Sequence, residues 1–302
     1  MADKVLQLNF HNGIDADLTL GYGTDFGIID TDGFDGSDYS IETEDYAFDG
    51  GYIKKQRMGV RSIGVHFDYK DDSAAAKERI LSFFTPYKPG RLSVTAEGRT
   101  RAIDYYVKSL QNKRTNMFHS VEFELQLTCP GGYFEDPDYS LIDLASWSGG
   151  FQLHDEADNE HSPTSTDSAG ATVNGIPFYL RHRTSGKVEV LNGGHAAAPV
   201  WITFKGPAKY PMVINQASKK SIQIATELAA GDTLNIKTSE NNPEIYIEGV
   251  DGTHKNAYPY LTTASSLEFY LELGKNVFSY QTADTSQTND VVIRYKQLYV
   301  GV

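Results

Sequence analysis

The sequence has one cysteine, two tryptophans and no apolar run near the ~18 residues that a membrane-spanning helix needs. A lone thiol, Cys129, excludes an intrachain disulfide and a multi-cysteine zinc site. The short apolar runs exclude an integral membrane helix. Met1-Ala2-Asp3-Lys4-Val5 has neither the basic nor the apolar region of a secretion signal. Bases are few: 27 Lys and Arg stand against 40 Asp and Glu, a net charge of −13. That balance argues against broad binding to nucleic acid or to an anionic membrane. Gly-x-Ser-x-Gly, His-Glu-x-x-His and a phosphate loop are all missing. An enzyme is therefore disfavoured, and no cofactor is implied.

What is present is a chain of 302 residues, 40% hydrophobic, enough for about two domains with real cores at ~150 residues each. Lys4 is the only base in residues 1–53, which carry 12 acids. The acids Asp25, Asp30, Asp32, Asp35, Asp38, Glu42, Glu44, Asp45 and Asp49 are followed at once by Lys54, Lys55, Arg57 and Arg61. These two segments pair within one subunit or face water; alternatively they meet head to tail between identical subunits, as in a closed ring.

Most of the patterning has period two. Leu6, Leu8 and Phe10, then Ile63, Val65, Phe67 and Tyr69, then Val121, Phe123, Leu125 and Leu127 alternate with polar residues, the mark of half-buried strands. One segment, 73–85, has helical spacing through Ala76, Ile80, Phe83 and Phe84. Ser73 is its candidate N-cap and Pro86 its stop. After Cys129-Pro130 the text changes, giving a first domain over 1–136 and a second over 137–302. Residues 137–175, rich in Asp, Ser, Gly and Asn, read as a linker or long loops. Short strands follow, among them Val200–Phe204, Leu234–Lys237, Glu244–Glu248 and Val291–Val300, at the spacing of an antiparallel sandwich. The fold class is mainly β with one helix.

The chemistry-bearing clusters are weak. Asp30 to Gly36 resembles a calcium loop, but Phe34 and Ile41 occupy ligand positions, so an acidic turn is the better reading. His154, Asp158 and His161 would share a helix face, but their segment lacks apolar support for a helix. Cys129 and His119 lie ten residues apart on one strand, ~33 Å, too far to form a catalytic pair. Glu122 and Glu124 share an outward face at the ~7 Å spacing of an inverting glycosidase pair, with nothing nearby to raise a pKa. Trp201 sits mid-strand and reads as a core residue before it reads as a sugar platform. No metal site is assigned.

Taken together, several residue runs resemble the distal tail proteins of phages with long non-contractile tails. The N-terminal runs are Asp32-Gly33-Phe34-Asp35-Gly36-Ser37, Tyr46-Ala47-Phe48-Asp49-Gly50-Gly51-Tyr52, and Val121–Cys129 with Tyr133-Phe134-Glu135-Asp136. In the second half they are Glu189-Val190-Leu191-Asn192-Gly193-Gly194, Leu273-Gly274-Lys275-Asn276 and the ending Arg294–Val302. The resemblance implies a β-sandwich-like N-terminal domain and a galectin-like C-terminal β-sandwich. It implies a homo-hexameric ring at the virion tail tip, assembled in the host cytoplasm. That ring joins the major tail tube protein to the tail-tip hub protein and holds receptor-binding proteins. It brings no catalytic mechanism, no specific nucleic acid and no membrane insertion. On this reading Lys54, Lys55, Arg57 and Arg61, with Asp30, Asp32, Asp35 and Asp38, are the candidates for the subunit seam. The acids are alternatively the lining of a channel that DNA does not stick to. The rival function is a carbohydrate-binding module for cell-wall sugars, using Trp201.

Overall fold

The structure, a computed structural model, describes residues 6–14, 17–36, 38–69, 74–113, 121–151, 168–173, 176–184, 187–239, 242–283 and 290–302. The chain divides into two compact units. One is Met1–Asp138 together with Leu298–Val302, and the other is Tyr139–Gln297.

The first unit begins with β1 (Gln7–His11), β2 (Leu18–Gly21), β3 (Phe26–Asp32), β4 (Tyr39–Asp45) and β5 (Gly51–Met58). It continues through β6 (Arg61–Tyr69), α1 (Ala74–Phe83), β7 (Pro89–Ala96), β8 (Arg99–Lys113), β9 (Val121–Cys129) and β10 (Phe134–Glu135). Its main sheet is antiparallel in the order β2-β1-β7-β8-β9-β6-β3. The alternating apolar residues set its face. Leu8, Phe10, Ile63, Val65, Phe67, Leu92, Val94, Phe123, Leu125 and Leu127 all point into one core. Helix α1 lays Ile80 and Phe83 on that core and the turn after it adds Phe84, which meets Phe10 edge to face at 5.2 Å. The helix read over 73–85 is thus present at Ala74–Phe83, and its candidate cap Ser73 lies outside the described residues. Cys129 is fully buried in the same core.

The second unit opens with β11 (Ser140–Phe151), β12 (Ser168–Val173), β13 (Ile176–Thr184), β14 (Val188–Asn192) and β15 (Ala198–Lys205). Next come β16 (Ala208–Lys209), β17 (Met212–Asn215), β18 (Lys220–Gln223), β19 (Glu227–Leu228), β20 (Thr233–Lys237) and β21 (Glu244–Glu248). It closes with β22 (His254–Asn256), β23 (Tyr270–Leu271), β24 (Gly274–Gln281) and β25 (Asp290–Tyr295). Its large sheet runs β12-β13-β11-β25-β15-β20-β21-β22, and a smaller sheet runs β14-β24-β17-β18. All pairings are antiparallel. Buried asparagines fasten the turns of this unit. Asn192 donates to the carbonyls of Ala196 and Leu271, and Asn276 to those of Glu272 and Gly274. Each lies in a run that carries the family resemblance.

Two expectations need correction. The stretch 137–175 is not a linker throughout, because β11 and β12 occupy much of it. Ile142 and Leu144 are buried at alternate positions of β11, a strand signal diluted by the surrounding Asp, Ser and Gly. The run Val291–Val300 is not one strand of the second domain either. It breaks after Tyr295, and Leu298–Tyr299 (β26) pairs with β10 of the first unit.

Candidate functional site

Among the described residues, strands β4 and β5 form a hairpin that pairs with no other strand. Glu42, Glu44 and Asp45 of the acidic run lie on β4, and Lys54, Lys55 and Arg57 of the basic run lie on β5, so the charge switch of the sequence falls within this hairpin. Ser40 faces Arg57 and Glu42 faces Lys55 across it, and a bulge follows Glu42. Lys54 donates to Glu44 at 3.3 Å, and the Tyr52 hydroxyl donates to the same carboxylate at 2.8 Å. That hydrogen bond pushes the Tyr52 hydroxyl above its ordinary pKa.

The register sorts the hairpin into two faces. Tyr39 opposite Met58, Ile41 opposite Gln56, and Thr43 opposite Ile53 make one face, which is largely apolar. Ser40, Glu42, Glu44, Lys55 and Arg57 make the other. Both are open to solvent: Ile41 is 52% exposed and Ile53 59%. At the tip, Tyr46 stacks on Phe48 at 5.3 Å and lies 5.6 Å from Tyr52, with Phe48 76% exposed. A two-stranded ribbon is marginal by itself in water, and an uncovered apolar face on one marks an interaction site.

The remaining seam candidates separate. Asp30 and Asp32 sit on the outward face of the main sheet, opposite His66 and Gly64. Asp35 lies in the turn before the hairpin, and Asp38 is at its foot, where its carbonyl accepts from the Gly59 amide at 2.9 Å. Gly33 in that turn has φ +81°, and a Cβ there would stand 2.1 Å from the Ser62 carbonyl oxygen, so only glycine fits. Arg61 is unlike Lys54, Lys55 and Arg57. It is 6% exposed and donates to the carbonyls of Gly132 (2.8 Å), Gly33 (2.7 Å) and Val300. Its guanidinium also lies 4.8 Å over the Phe134 ring.

The same outward face brings Glu122 and Glu124 beside His66 and Asp68. Glu122 meets His66 Nε2 at 3.2 Å, which ties up one member of the spacing read as glycosidase-like. His119, His154, Asp158 and His161 lie outside the described residues. Among the described residues, no three His, Cys, Asp or Glu stand close enough to hold a metal ion. No helix among them is long and apolar enough to cross a membrane.

Trp201 is not in the core. Val200, Ile202 and Phe204 take the buried parity of β15, which leaves Trp201 half-buried on the other face of its sheet. Arg294 on β25 and Lys237 on β20 flank its ring at 4.8 Å and 4.9 Å. Its indole N–H donates to Asn235 at 3.1 Å. Next to it, Lys237 and Glu244 pair at 2.8 Å, which holds the Glu244 carboxyl below its usual range. An open cleft of about 510 Å³ begins there, lined by Pro243, Glu244, Ile245, Tyr246, His254, Asn256 and Tyr258, with His254 stacked on Tyr246. Nothing in the sequence singled out this cleft, because its residues come together only through the pairing of β21 and β22.

Residues 192–299 match the family model described as siphovirus-type tail component, C-terminal domain. No curated protein sequence matches the chain. Among solved structures, the chain is similar to the Dit protein of phage SPP1, described as a paradigm of the hub adsorption apparatus in phages infecting Gram-positive bacteria. The identity is 12%, 98% of this chain and 99% of that one are covered, and the TM-score is 0.60. It is also similar to a chain of the phage P2 baseplate in its activated conformation with calcium. There the identity is 12%, the coverage 99% and 100%, and the TM-score 0.51. The resemblance to distal tail proteins read from the sequence is thereby borne out: residues 192–299 carry the siphovirus-type tail component pattern, on a fold that the whole chain shares with the SPP1 Dit protein.

Proposed function

We propose that this protein is a non-catalytic hub of a phage tail tip, a ring of six identical subunits between the tail tube and the tail-tip hub protein. The observation that supports the reading is the β4–β5 hairpin, whose apolar face is left uncovered by the described residues. A second copy is the natural cover. A ring of identical subunits needs two different complementary patches per subunit, and an arm reaching onto a neighbour is one of them. Lys54, Lys55 and Arg57 then lie at the seam with Ile41 and Ile53, and Asp35 and Asp38 at the foot of the arm. Arg61 serves inside its own subunit. The galectin-like second unit serves as the platform for receptor-binding proteins.

The outward face of β3, β6 and β9 supports a channel lining, since it presents Asp30, Asp32, Asp68, Glu122 and Glu124 together. Such a face repels phosphodiester backbone. Native mass by light scattering, with images of the same peak, tests the ring. A hexamer or paired hexamers with a central hole is expected, whereas a monomer that stays single in the presence of its tail-tube partner would reject it.

A second reading has one observation in its favour, the cleft beside Tyr246 and His254. Sugar binding there predicts glycan-array signals lost on Tyr246→Ala and kept on Trp201→Phe.

A further inference from the structure

Residues 298–302 belong with the first unit, half-buried, and close on the foot of the hairpin. Leu298–Tyr299 pairs with β10, with Phe134 opposite Tyr299. Beyond it, the Val300 carbonyl accepts from Arg61 and the Gly301 carbonyl from Arg101. The Arg101 guanidinium lies 3.8 Å over the Tyr299 ring, and Val302 packs on the core cluster. Both arginines are nearly buried, at 6% and 8% exposure. Buried cations are rare unless their donors are taken, and here backbone carbonyls take them, those of Val300 and Gly301 among them.

The same guanidinium of Arg61 holds Gly33, in the turn that leads into the hairpin, and Gly132, which lies against Met58 and Gly59 at the hairpin's exit. Gly301 touches this turn directly: a Cβ on it would meet the Phe34 carbonyl oxygen at 3.2 Å and Gly36 N at 3.4 Å. Both strands of the arm thus leave a foot that residues 298–302 help to build.

We infer that residues 298–302 are a latch that fixes the foot of the β4–β5 arm, and that the arm loosens when the latch is removed. The chain enters the second unit at Tyr139 and leaves it at Gln297, immediately before the latch. A load on the second unit therefore reaches the arm through a few residues of chain. The consequence for assembly rests on the ring reading of the arm; the latch itself does not.

Two variants of the protein test it by hydrogen exchange and tryptic cleavage: one cut back to Gln297, and Gly301→Val. Position 301 lies outside every strand, and a Cβ there would already stand 3.2 Å from the Phe34 carbonyl oxygen, so valine crowds the foot without entering a ladder. The expected result in both is exchange over Tyr39–Gly59 at least ~10-fold faster, with new cleavage at Lys54, Lys55 and Arg57, while β6 and β9 keep their protection. An arm unchanged in either measurement would overturn the latch. So would acceleration by one common factor across the first unit, which is plain loss of stability. Native mass is read on the same samples. A loosened arm with an intact hexamer keeps the latch and sinks the arm's place at the seam.

Discussion

Lys54 meets Glu44 at 3.3 Å, and the two residues belong to opposite strands of one hairpin. The charge switch is therefore satisfied in part inside each subunit. Exposed ion pairs contribute only ~0–1 kcal/mol, so they do little for the monomer. Replacing Lys54, Lys55 and Arg57 by Glu should leave the unfolding temperature within a few degrees of the parent, and should remove the hexamer from light scattering. Adding Glu42→Lys and Glu44→Lys then separates the two roles. If the hexamer returns, the charges serve the hairpin; if it stays lost, they serve the seam.

The apolar face gives a cleaner test. Ile41 and Ile53 are more than half exposed and touch no core. Burying such a side chain fully against a neighbour is worth ~1.5–3 kcal/mol, and a ring repeats that at every seam. Ile53→Asp should therefore give a stable monomer with parental circular dichroism and no ring. A ring of unchanged mass would show that this face is not covered by a second copy.

Much of the fold was legible because burial writes a periodic signal. The alternation through Ile63, Val65 and Phe67 gave β6, and the helical spacing of Ile80, Phe83 and Phe84 gave α1. The hairpin was legible as charge and illegible as structure, since a strand open on both faces has no burial pattern to display. Arg61 stood in a basic run and was read with it. Its partners are the carbonyls of Gly33, Gly132 and Val300, and a backbone acceptor leaves no trace in side-chain identity. Trp201 lies outside the core, contrary to its mid-strand setting, because the inward parity of β15 falls on Val200 and Ile202, one residue to either side.

Cys129 is fully buried, and burial raises its thiol pKa from 9.0 to about 12 despite the nearby Arg61. At pH 8 its thiolate fraction is on the order of one in ten thousand, and the thiolate is the reactive form. The native protein should resist an aromatic disulfide reagent for hours and react at once in denaturant. The raised value also means that the unfolded chain releases its proton first. The thiol's contribution to stability is fully present below pH 9.0 and is lost as the pH rises through about 12.

Glu244 has the opposite sign. Lys237 donates to it and holds its pKa below the ordinary carboxylate value of 4.5. Its contribution is present above pH 4.5 and is lost as the pH falls through the depressed value. The parent should lose more stability than Glu244→Gln between pH 6 and pH 3, by a small margin because the pair is exposed. Equal losses in urea titrations at the two pH values would show that the pair contributes nothing.

Arg61 offers a prediction that separates the two units by probe. Trp147 and Trp201 both lie in the second unit, and Cys129 in the first, so tryptophan fluorescence reports one and thiol exposure the other. Arg61→Met keeps the bulk of the stem, removes the donors, and leaves the carbonyls of Gly33, Gly132 and Val300 without that cation. Losing charged hydrogen bonds in a buried site costs ~3–5 kcal/mol in total. Lysine recovers less than half of this, because a point ammonium cannot fan to acceptors on several segments. The urea midpoint for Cys129 labelling should fall in Arg61→Met, and the tryptophan midpoint should stay where it is. A common shift of both midpoints would show that the units unfold as one, and no shift in either would show that Arg61 does not hold the first unit together.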